Sequence, residues 1–447
     1  MTERDVKTFA KKRARDLIED DGPCLSGHWR KRKCNVGLCA SNCSSSEKNH
    51  LFSEIPERIL KDVTRALDRL LVDNLACRIV RLTPLKLLNC NAADPSEFSN
   101  AYCSVEPFAN EFSLWSIFQK GTKLLMDFID SDAEQDDRMT GLPETKQDEL
   151  ILDKILHYLV EVDLQYQGEI GTPLAELDRI HDTDLTIILA NHLFGKLATS
   201  SNYLLDKQSK EKERGKYRTS CPCGTSNCKL TGHFGDTSIG NELVWHGNLD
   251  AIIDDKVVLE PREEDTDMEG SPVWRSPVEV KLDSSGEKIS RNQQIIAETI
   301  TFSFLQKQRH PDSDHFLFPC ISVTNTDMVV HFYDSEHDIL LESSKIPLHG
   351  FEGQTNLLAV IVSWLVVNYK YTCDGLTDEM KDKLAGFPPL AQSKLDIYDR
   401  HLKFGDVGIT FRPDFQKSHQ QLVEESASAL RHKIERGRLK TLLKFKD

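Results

Sequence analysis

The fold is decided by the stretch from Trp245 to Gln306, in which two strand-like segments precede a helix. It reads W-H-G-N-L-D-A-I-I-D from Trp245, S-P-V-E-V-K-L-D from Ser276 and S-R-N-Q-Q-I-I-A-E-T-I-T-F-S-F-L-Q from Ser290. The β-branched residues of the first two segments predict strands. Ser290 and Gln293 match an S-x-x-Q capping box, which predicts a helix that extends to about residue 308. The stretch therefore predicts a mixed α/β protein.

Acidic and basic side chains occupy defined places in these segments. Asp250 lies on the first predicted strand, and Glu279 and Lys281 lie on the second. The order acid, acid-x-lysine, helix resembles the core of the PD-(D/E)xK nuclease superfamily, in which a small mixed sheet holds one or two divalent metal ions against a scissile phosphate. The resemblance implies a restriction-endonuclease-like core of element order α-β-β-β-α-β, within an α/β fold of the mixed α+β type. It also implies metal-dependent hydrolysis of phosphodiester bonds in DNA or RNA.

The resemblance assigns a role to each of five residues. Side chains two apart in a strand share a face, so Glu279 and Lys281 would point the same way. Mg²⁺ or Mn²⁺ takes oxygen ligands, and these would come from Asp250, Glu279 and the main-chain carbonyl of Val280. Lys281 would orient the attacking water and offset charge in the transition state. Gln294, in the first turn of the helix, would lie at the rim of the site.

Further side chains have two open interpretations. Glu298 lies one helical turn after Gln294, either at the same rim or on a solvent-exposed face. His246 precedes Asp250 on the predicted strand, where it would contact phosphate or form a structural hydrogen bond. Glu176 and Asp184 precede the core strands, and either would supply another carboxylate or lie on the surface.

The chain divides into four predicted regions. Residues 1–50 form a flexible basic arm that contains cysteines, and residues 51–147 form a helical region that ends in an acidic linker. Residues 148–350 contain the nuclease-like core, and residues 351–447 form a helical carboxy-terminal extension. Two departures from the superfamily pattern lie inside the core. Leu249 stands where proline is frequent, and the acidic segment 260–269 separates the two acid-bearing strands.

Composition restricts the partners and the location. The chain has 447 residues, of which 39% are hydrophobic, and a formal net charge of −15. This charge argues against a surface that is basic throughout, although a local basic stripe would suffice for nucleic acid. The longest apolar run, Leu357–Val367, is shorter than the roughly 18 residues that cross a bilayer, which predicts no membrane partner. The amino terminus lacks an apolar signal segment, which predicts an intracellular location, nuclear or cytoplasmic.

The twelve cysteines include one compact group. Cys221, Cys223, Cys228 and His233 offer thiol and imidazole ligands within a short segment, which indicates either a tetrahedral zinc site or reduced thiols on a loop. A looser group at Cys24, His28, Cys34, Cys39 and Cys43 allows the same two interpretations.

Three functions therefore remain open from the sequence. The first is a nuclease. The second is a catalytically inactive module of the same fold that binds nucleic acid or a protein, with or without zinc. The third is a zinc-dependent interaction protein in which the sheet serves only as scaffold. Cleavage of DNA and RNA in the presence of Mg²⁺ or Mn²⁺ separates the first function from the others.

Overall fold

Strands from distant parts of the chain join one large mixed sheet, and a smaller sheet lies beside it. The computed structural model describes the residues of these ranges: 63–65, 67–68, 80–133, 143, 145–166, 174, 182–207, 219–225, 227–254, 256–261, 293–350 and 355–407. Helices and strands alternate through these ranges, so the predicted mixed α/β class is confirmed.

The strands are numbered in chain order. They are β1 (Arg81–Cys90), β2 (Ser96–Glu97), β3 (Cys103–Pro107), β4 (Phe112–Ser113), β5 (Tyr203–Asp206), β6 (His233–Gly235), β7 (Ser238–Gly240), β8 (Trp245–Asn248), β9 (Ala251–Ile253), β10 (Val257–Pro261), β11 (Leu317–Val323), β12 (Asp327–Asp334), β13 (Ile339–Ser343), β14 (Ile346–Pro347) and β15 (Lys403–Phe404).

The α-helices are numbered in the same way. They are α1 (Gln119–Ala133), α2 (Lys146–Tyr166), α3 (Asp182–Leu189), α4 (Gly195–Leu197), α5 (Gln293–Arg309), α6 (Leu357–Val367), α7 (Tyr369–Thr372), α8 (Asp378–Lys381), α9 (Phe387–Ala391) and α10 (Leu395–Arg400). A π-helical turn, Ala190–Phe194, joins α3 to α4. Short 3₁₀ turns are Phe98–Asn100, Leu114–Ile117 and Gln392–Lys394. In the described part of the chain, no helix has both the length and the apolar character that a membrane span requires.

The large sheet has the strand order β3-β1-β13-β12-β11-β10-β9-β5-β6, with β4 also paired to β1 and β14 to β12. The smaller sheet has the order β15-β7-β8-β2. Six elements follow one another along the chain in the order α3, β5, β9, β10, α5 and β11. Strands β6 to β8 are inserted after β5. The strands β5, β9 and β10 are antiparallel neighbours, whereas β11 is parallel to β10. Parallel neighbours require a crossover connection, and α5 lies in that connection.

Helix α5 is buried from Ile295 to Gln306. It packs against β11 and β12 of the large sheet and also against β7 and β8 of the smaller sheet. Both sides of the helix are therefore covered, and its polar residues must find partners inside the protein. Thr299, for example, donates its hydroxyl to the Ile295 carbonyl at 2.6 Å. This environment places Glu298 in the interior, so the solvent-exposed alternative for this residue is wrong.

The segment 51–147, predicted as helical, contributes strands β1 to β4. The β1 sequence R-L-T-P-L-K-L-L-N-C carries buried residues at Leu82, Leu85 and Leu87, and β1 lies between β3 and β13. Its inner leucines therefore lie in the middle of the sheet and not on the apolar side of a helix. Residues on both sides of position 147 thus share one sheet.

The predicted strand at residues 243–253 is divided between the two sheets. Strand β8 belongs to the smaller sheet and β9 to the large one. Gly247 has a φ of +155°, and an added Cβ would lie 2.9 Å from the Phe98 ring, so only glycine fits this close approach. The predicted strand at residues 278–282 lies outside the described residues.

Candidate functional site

Three carboxyl groups meet where β9, β10 and α5 come together, and we call Asp250, Glu260 and Glu298 the acid cluster. Leu259 pairs with Ala251, which places Glu260 opposite Asp250 across the hairpin. The Asp250 main-chain N–H donates to Glu260 Oε1 at 2.7 Å. Glu298, from the second turn of α5, is close enough for its charge to raise the pKa of Glu260.

Neighbouring strands fix the position of Asp250. The main-chain N–H of Asp206, at the end of β5, donates to the Asp250 carbonyl at 3.0 Å. The Asp206 carboxylate accepts a hydrogen bond from Asn248 Nδ2 at 2.9 Å. The main chain of Asp250 is thus bonded towards β5 through its carbonyl and towards β10 through its N–H.

Burial and mutual repulsion raise the pKa of two cluster carboxyls. Glu260 is 2% exposed and Glu298 is fully buried. Burial raises the pKa of Glu260 well above its ordinary value, and the charges of Glu298 and Asp250 raise it further. Burial also raises the pKa of Glu298, with a hydrogen bond from Gln294 acting in the opposite direction. Ionised carboxylates at these positions therefore need a compensating positive charge.

The two carboxyl oxygens of Glu298 have different surroundings. Gln294 Nε2 donates to Glu298 Oε1 at 2.7 Å and so orients this carboxyl. Glu298 Oε2 is buried and has no hydrogen-bond partner among the described residues. A buried carboxyl oxygen without a donor, beside two further carboxyls, needs a proton or a cation to offset its charge.

The structure describes two of the five predicted catalytic residues. Asp250 is in the acid cluster, and Gln294 contacts it through Glu298. Glu279, Val280 and Lys281 lie in the range 262–292, outside the described residues, so their roles stay predictions.

Glu260 is a cluster residue that the sequence reasoning missed. It was assigned to an inserted acidic loop, whereas it lies on β10. The run V-V-L-E-P-R carries the missed signal, because Glu260 follows a β-branched segment and precedes Arg262 by two positions. Asp250 and Glu260 are also equally distant from the centre of the hairpin turn, which predicts that they face each other.

His246 does not join the acid cluster. His246 lies on β8, in the smaller sheet, and its Nδ1 is 2.9 Å from the Val244 carbonyl oxygen. This contact agrees with the structural interpretation of His246, and the idea that it shares a strand with Asp250 is wrong because the chain changes sheets between them. Asp184 lies on α3, and Glu176 is outside the described residues.

A second group combines an imidazole with three thiols, and we call it the Cys3His cluster: His192, Cys221, Cys223 and Cys228. One ligand atom from each residue lies within 4.8 Å of all the others. Cys221 Sγ and Cys228 Sγ are 3.3 Å and 3.4 Å from His192 Nε2. Burial is the main cause that lowers the pKa of His192 to about 4, so its imidazole is neutral at pH 7. This cluster could hold a metal ion.

A tight loop and a helix bring these ligands together. Ser220 and Lys229 form an antiparallel bridge, and the Cys221 N–H donates to the Cys228 carbonyl at 3.0 Å. Within the loop, Gly224 has a φ of +76°, a left-handed value that favours glycine. His192 comes from the π-helical turn, where the widened helix presents it to the loop.

His233, predicted as the fourth ligand, is not in the Cys3His cluster. Its side chain is exposed at the start of β6, which pairs with β5 and directs the chain away from the loop. His192 takes its place. The spacing of the cysteines could not reveal this, because His192 precedes Cys221 by 29 residues and approaches it only through the tertiary fold.

A cavity of about 350 Å³ at the carboxyl end of α5 carries basic side chains. Its lining includes Lys256, Arg309, His310 and Lys370. Arg309 lies about 16 Å from Glu298 along the helix, at about 1.5 Å per residue. The cavity is therefore separate from the acid cluster.

Comparisons with known proteins give no family, relative or similar structure for this chain. The functional conclusion accordingly depends on the two clusters, the strand topology around them and the sequence motifs.

Proposed function

We propose that this protein is a metal-dependent nuclease that hydrolyses phosphodiester bonds at the acid cluster. One observation carries the proposal: the buried carboxyls of Glu260 and Glu298 lie within electrostatic reach of each other and of Asp250, and Glu298 Oε2 has no partner among the described residues. Concentrating acids in this way is costly unless a cation or protons neutralise them. A cation site is the functional explanation of that cost.

The strand topology supports the same proposal. The element order α3, β5, β9, β10, α5, β11 agrees with the α-β-β-β-α-β order that the sequence resemblance implies. Asp250 precedes the second of these strands, and Glu260 lies on the third. Glu298 and Gln294 lie on the crossover helix α5. These positions are the ones that a restriction-endonuclease-like core would need for its acids.

Asp250, Glu260 and Glu298 would hold Mg²⁺ or Mn²⁺. A bound ion would lower the pKa of the attacking water and stabilise charge on the phosphate. The protein's own contribution is orientation: Gln294 sets the Glu298 carboxyl, and β5 holds the main chain of Asp250. Thiols and imidazole prefer a softer ion such as zinc, so we assign the hard ion to the acid cluster and not to the Cys3His cluster.

The reaction consumes one water for each bond cleaved. The water oxygen attacks phosphorus, the bond to one ester oxygen breaks, and a phosphate monoester and a hydroxyl end result. In this proposal Glu260 takes the ligand position that the sequence resemblance assigned to Glu279. Lys281 stays the basic side chain predicted to orient the water and offset charge on the phosphate.

The proposal is tested by incubating the full-length protein with single- and double-stranded DNA and RNA in Mg²⁺, Mn²⁺ or EDTA. We expect cleavage of at least one substrate with a divalent ion, none in EDTA, and loss of cleavage in Asp250→Asn. Equal cleavage by Asp250→Asn would assign the activity to another site or to a contaminant. Binding without cleavage would overturn the proposal in favour of an inactive nuclease-fold module.

A further inference from the structure

We propose that His192, Cys221, Cys223 and Cys228 form a structural zinc site that ties the cysteine loop to the helix of α3 and α4. The proposal is independent of nuclease activity. Four protein ligands close a tetrahedral coordination shell, which is typical of zinc sites that stabilise structure. It differs from the sequence-based expectation in its fourth ligand and in joining two parts of the chain that are distant in sequence.

The distances agree with tetrahedral coordination. Zinc bonds of about 2.3 Å to sulfur and about 2.0 Å to nitrogen place ligand atoms roughly 3.5 Å apart. The observed distances from His192 Nε2 to the sulfurs of Cys221 and Cys228 are 3.3 Å and 3.4 Å. All three cysteines are free thiols rather than disulfide partners. The ligand atoms therefore need little movement to enclose one ion.

An ordinary hydrogen-bonded core histidine does not explain His192. The side chain is 7% exposed, and its Nε2 faces two thiols, which are weak hydrogen-bonding groups. Its Nδ1 has no partner in the described part of the chain. A buried imidazole nitrogen that faces only thiols is costly, whereas a zinc–nitrogen bond would satisfy Nε2.

Asn191 supports the cluster from the adjacent position in the helix. Its Nδ2 lies 3.6 Å from Cys228 Sγ and 3.3 Å from the Lys229 carbonyl oxygen. Its Oδ1 accepts hydrogen bonds from the Tyr203 hydroxyl at 2.7 Å and from the Thr231 N–H at 3.1 Å. Amide donors to metal-bound sulfur are the usual support of such sites. Tyr203 is the first residue of β5, the strand whose last residue bonds to the Asp250 main chain. Asn191 therefore connects the Cys3His cluster to that strand.

A basic side chain offsets the charge of the loaded site. Zinc with three thiolates and a neutral imidazole carries a net charge of −1. The charge of Lys196, on α4, acts on both His192 and Cys228. Lys196 also pairs with Glu161 of α2, which fixes its position. Because the Glu161 charge acts on His192 in the opposite direction, Lys196 offsets the surplus negative charge only in part.

The test is the metal content of the full-length protein after dialysis, measured by elemental analysis, with two histidine variants as a matched pair. We expect about one zinc per chain in the wild type and in His233→Ala, and at least a tenfold lower content in His192→Ala. His192→Cys would restore a four-ligand site and should retain zinc. Cobalt in place of zinc should give visible bands of a tetrahedral thiolate site.

Two results would overturn the proposal. One is wild-type protein that binds neither zinc nor cobalt. The other is His192→Ala that retains zinc while His233→Ala loses it. If His192→Ala is insoluble, the pair Cys223→Ser and His192→Cys decides, with zinc lost from the first and retained by the second. None of these measurements uses cleavage, so failure here is distinct from failure of the nuclease proposal.

Discussion

Replacing Glu298 with glutamine should have opposite effects on stability and on activity. Glu298 is fully buried, its Oε1 accepts from Gln294, and its Oε2 has no partner among the described residues. Glutamine has nearly the same shape and can still accept the Gln294 hydrogen bond. It removes one negative charge from the acid cluster and so relieves the repulsion between Glu298 and its neighbours Glu260 and Asp250. A purely structural glutamate would not produce a gain in stability on this change.

The size of the effect follows from burial and repulsion. Keeping a buried carboxyl protonated above its ordinary pKa of 4.5 costs about 1.4 kcal/mol for each pH unit, until the raised pKa is reached. We expect Glu298→Gln to remove this cost and to raise the free energy of unfolding of the metal-free protein by about 1–3 kcal/mol at pH 7. Cleavage should be lost.

Urea denaturation in EDTA measures the stability, and cleavage in Mg²⁺ measures the activity. Glu379→Gln, an exposed change on α8, is the matched control and should alter the free energy of unfolding by less than about 0.5 kcal/mol. A Glu298→Gln protein that is less stable than wild type, or that still cleaves nucleic acid, would refute the reasoning.

Three further outcomes are expected. The pKa values of Glu260 and Glu298 are raised in the folded protein. Their contribution to the stability of the metal-free protein should therefore be fully present below about pH 4.5 and should be lost as pH rises towards the raised pKa values. Denaturation across pH in EDTA checks this, and Mg²⁺ should reduce the loss. Glu260→Gln should abolish cleavage whereas Glu279→Gln should retain it; the reverse result would return the ligand role to Glu279. Asn191→Ala should lower the free energy of unfolding by about 1–3 kcal/mol and weaken zinc binding about 10- to 100-fold in a chelator competition.

Local patterns predicted the elements around the candidate site. The helix predicted to extend to about residue 308 is confirmed as α5, and Ser290 of the predicted capping box lies outside the described residues. Apolar runs likewise occupy β11 and most of β12. These elements carry their signal in short-range periodicity, which depends little on what packs against them.

Strands β1 to β4 lie in the segment predicted as helical, and a proline in β1 weakens the strand pattern there. Pro84 lies inside β1, between β13 and β3. Proline cannot donate to a sheet, but the Pro84 carbonyl still accepts from the Phe108 N–H at 2.9 Å. The missing donor therefore leaves the pairing intact at this position, and a sequence pattern alone does not show that.

Each of the two clusters contains a residue that the sequence analysis did not assign to it. Glu260 faces Asp250 because the hairpin turn is short, and its acidic neighbours in the sequence concealed this pairing. His192 reaches the thiols because a π-helical turn and a distant loop pack together. The three cysteines were predictable from their spacing, whereas the imidazole came from a helix that the cysteine pattern does not include.

The most direct test of the central claim compares cleavage by wild-type protein and by Glu260→Gln in the same Mg²⁺ titration, with the substrate that the wild type cleaves best. The acid cluster predicts cleavage that rises with Mg²⁺ in the wild type and loss of at least about 100-fold in Glu260→Gln, since removal of a catalytic group typically costs this much or more. Equal rates for the two proteins, or cleavage that does not depend on a divalent ion, would contradict the claim that this cluster performs the chemistry.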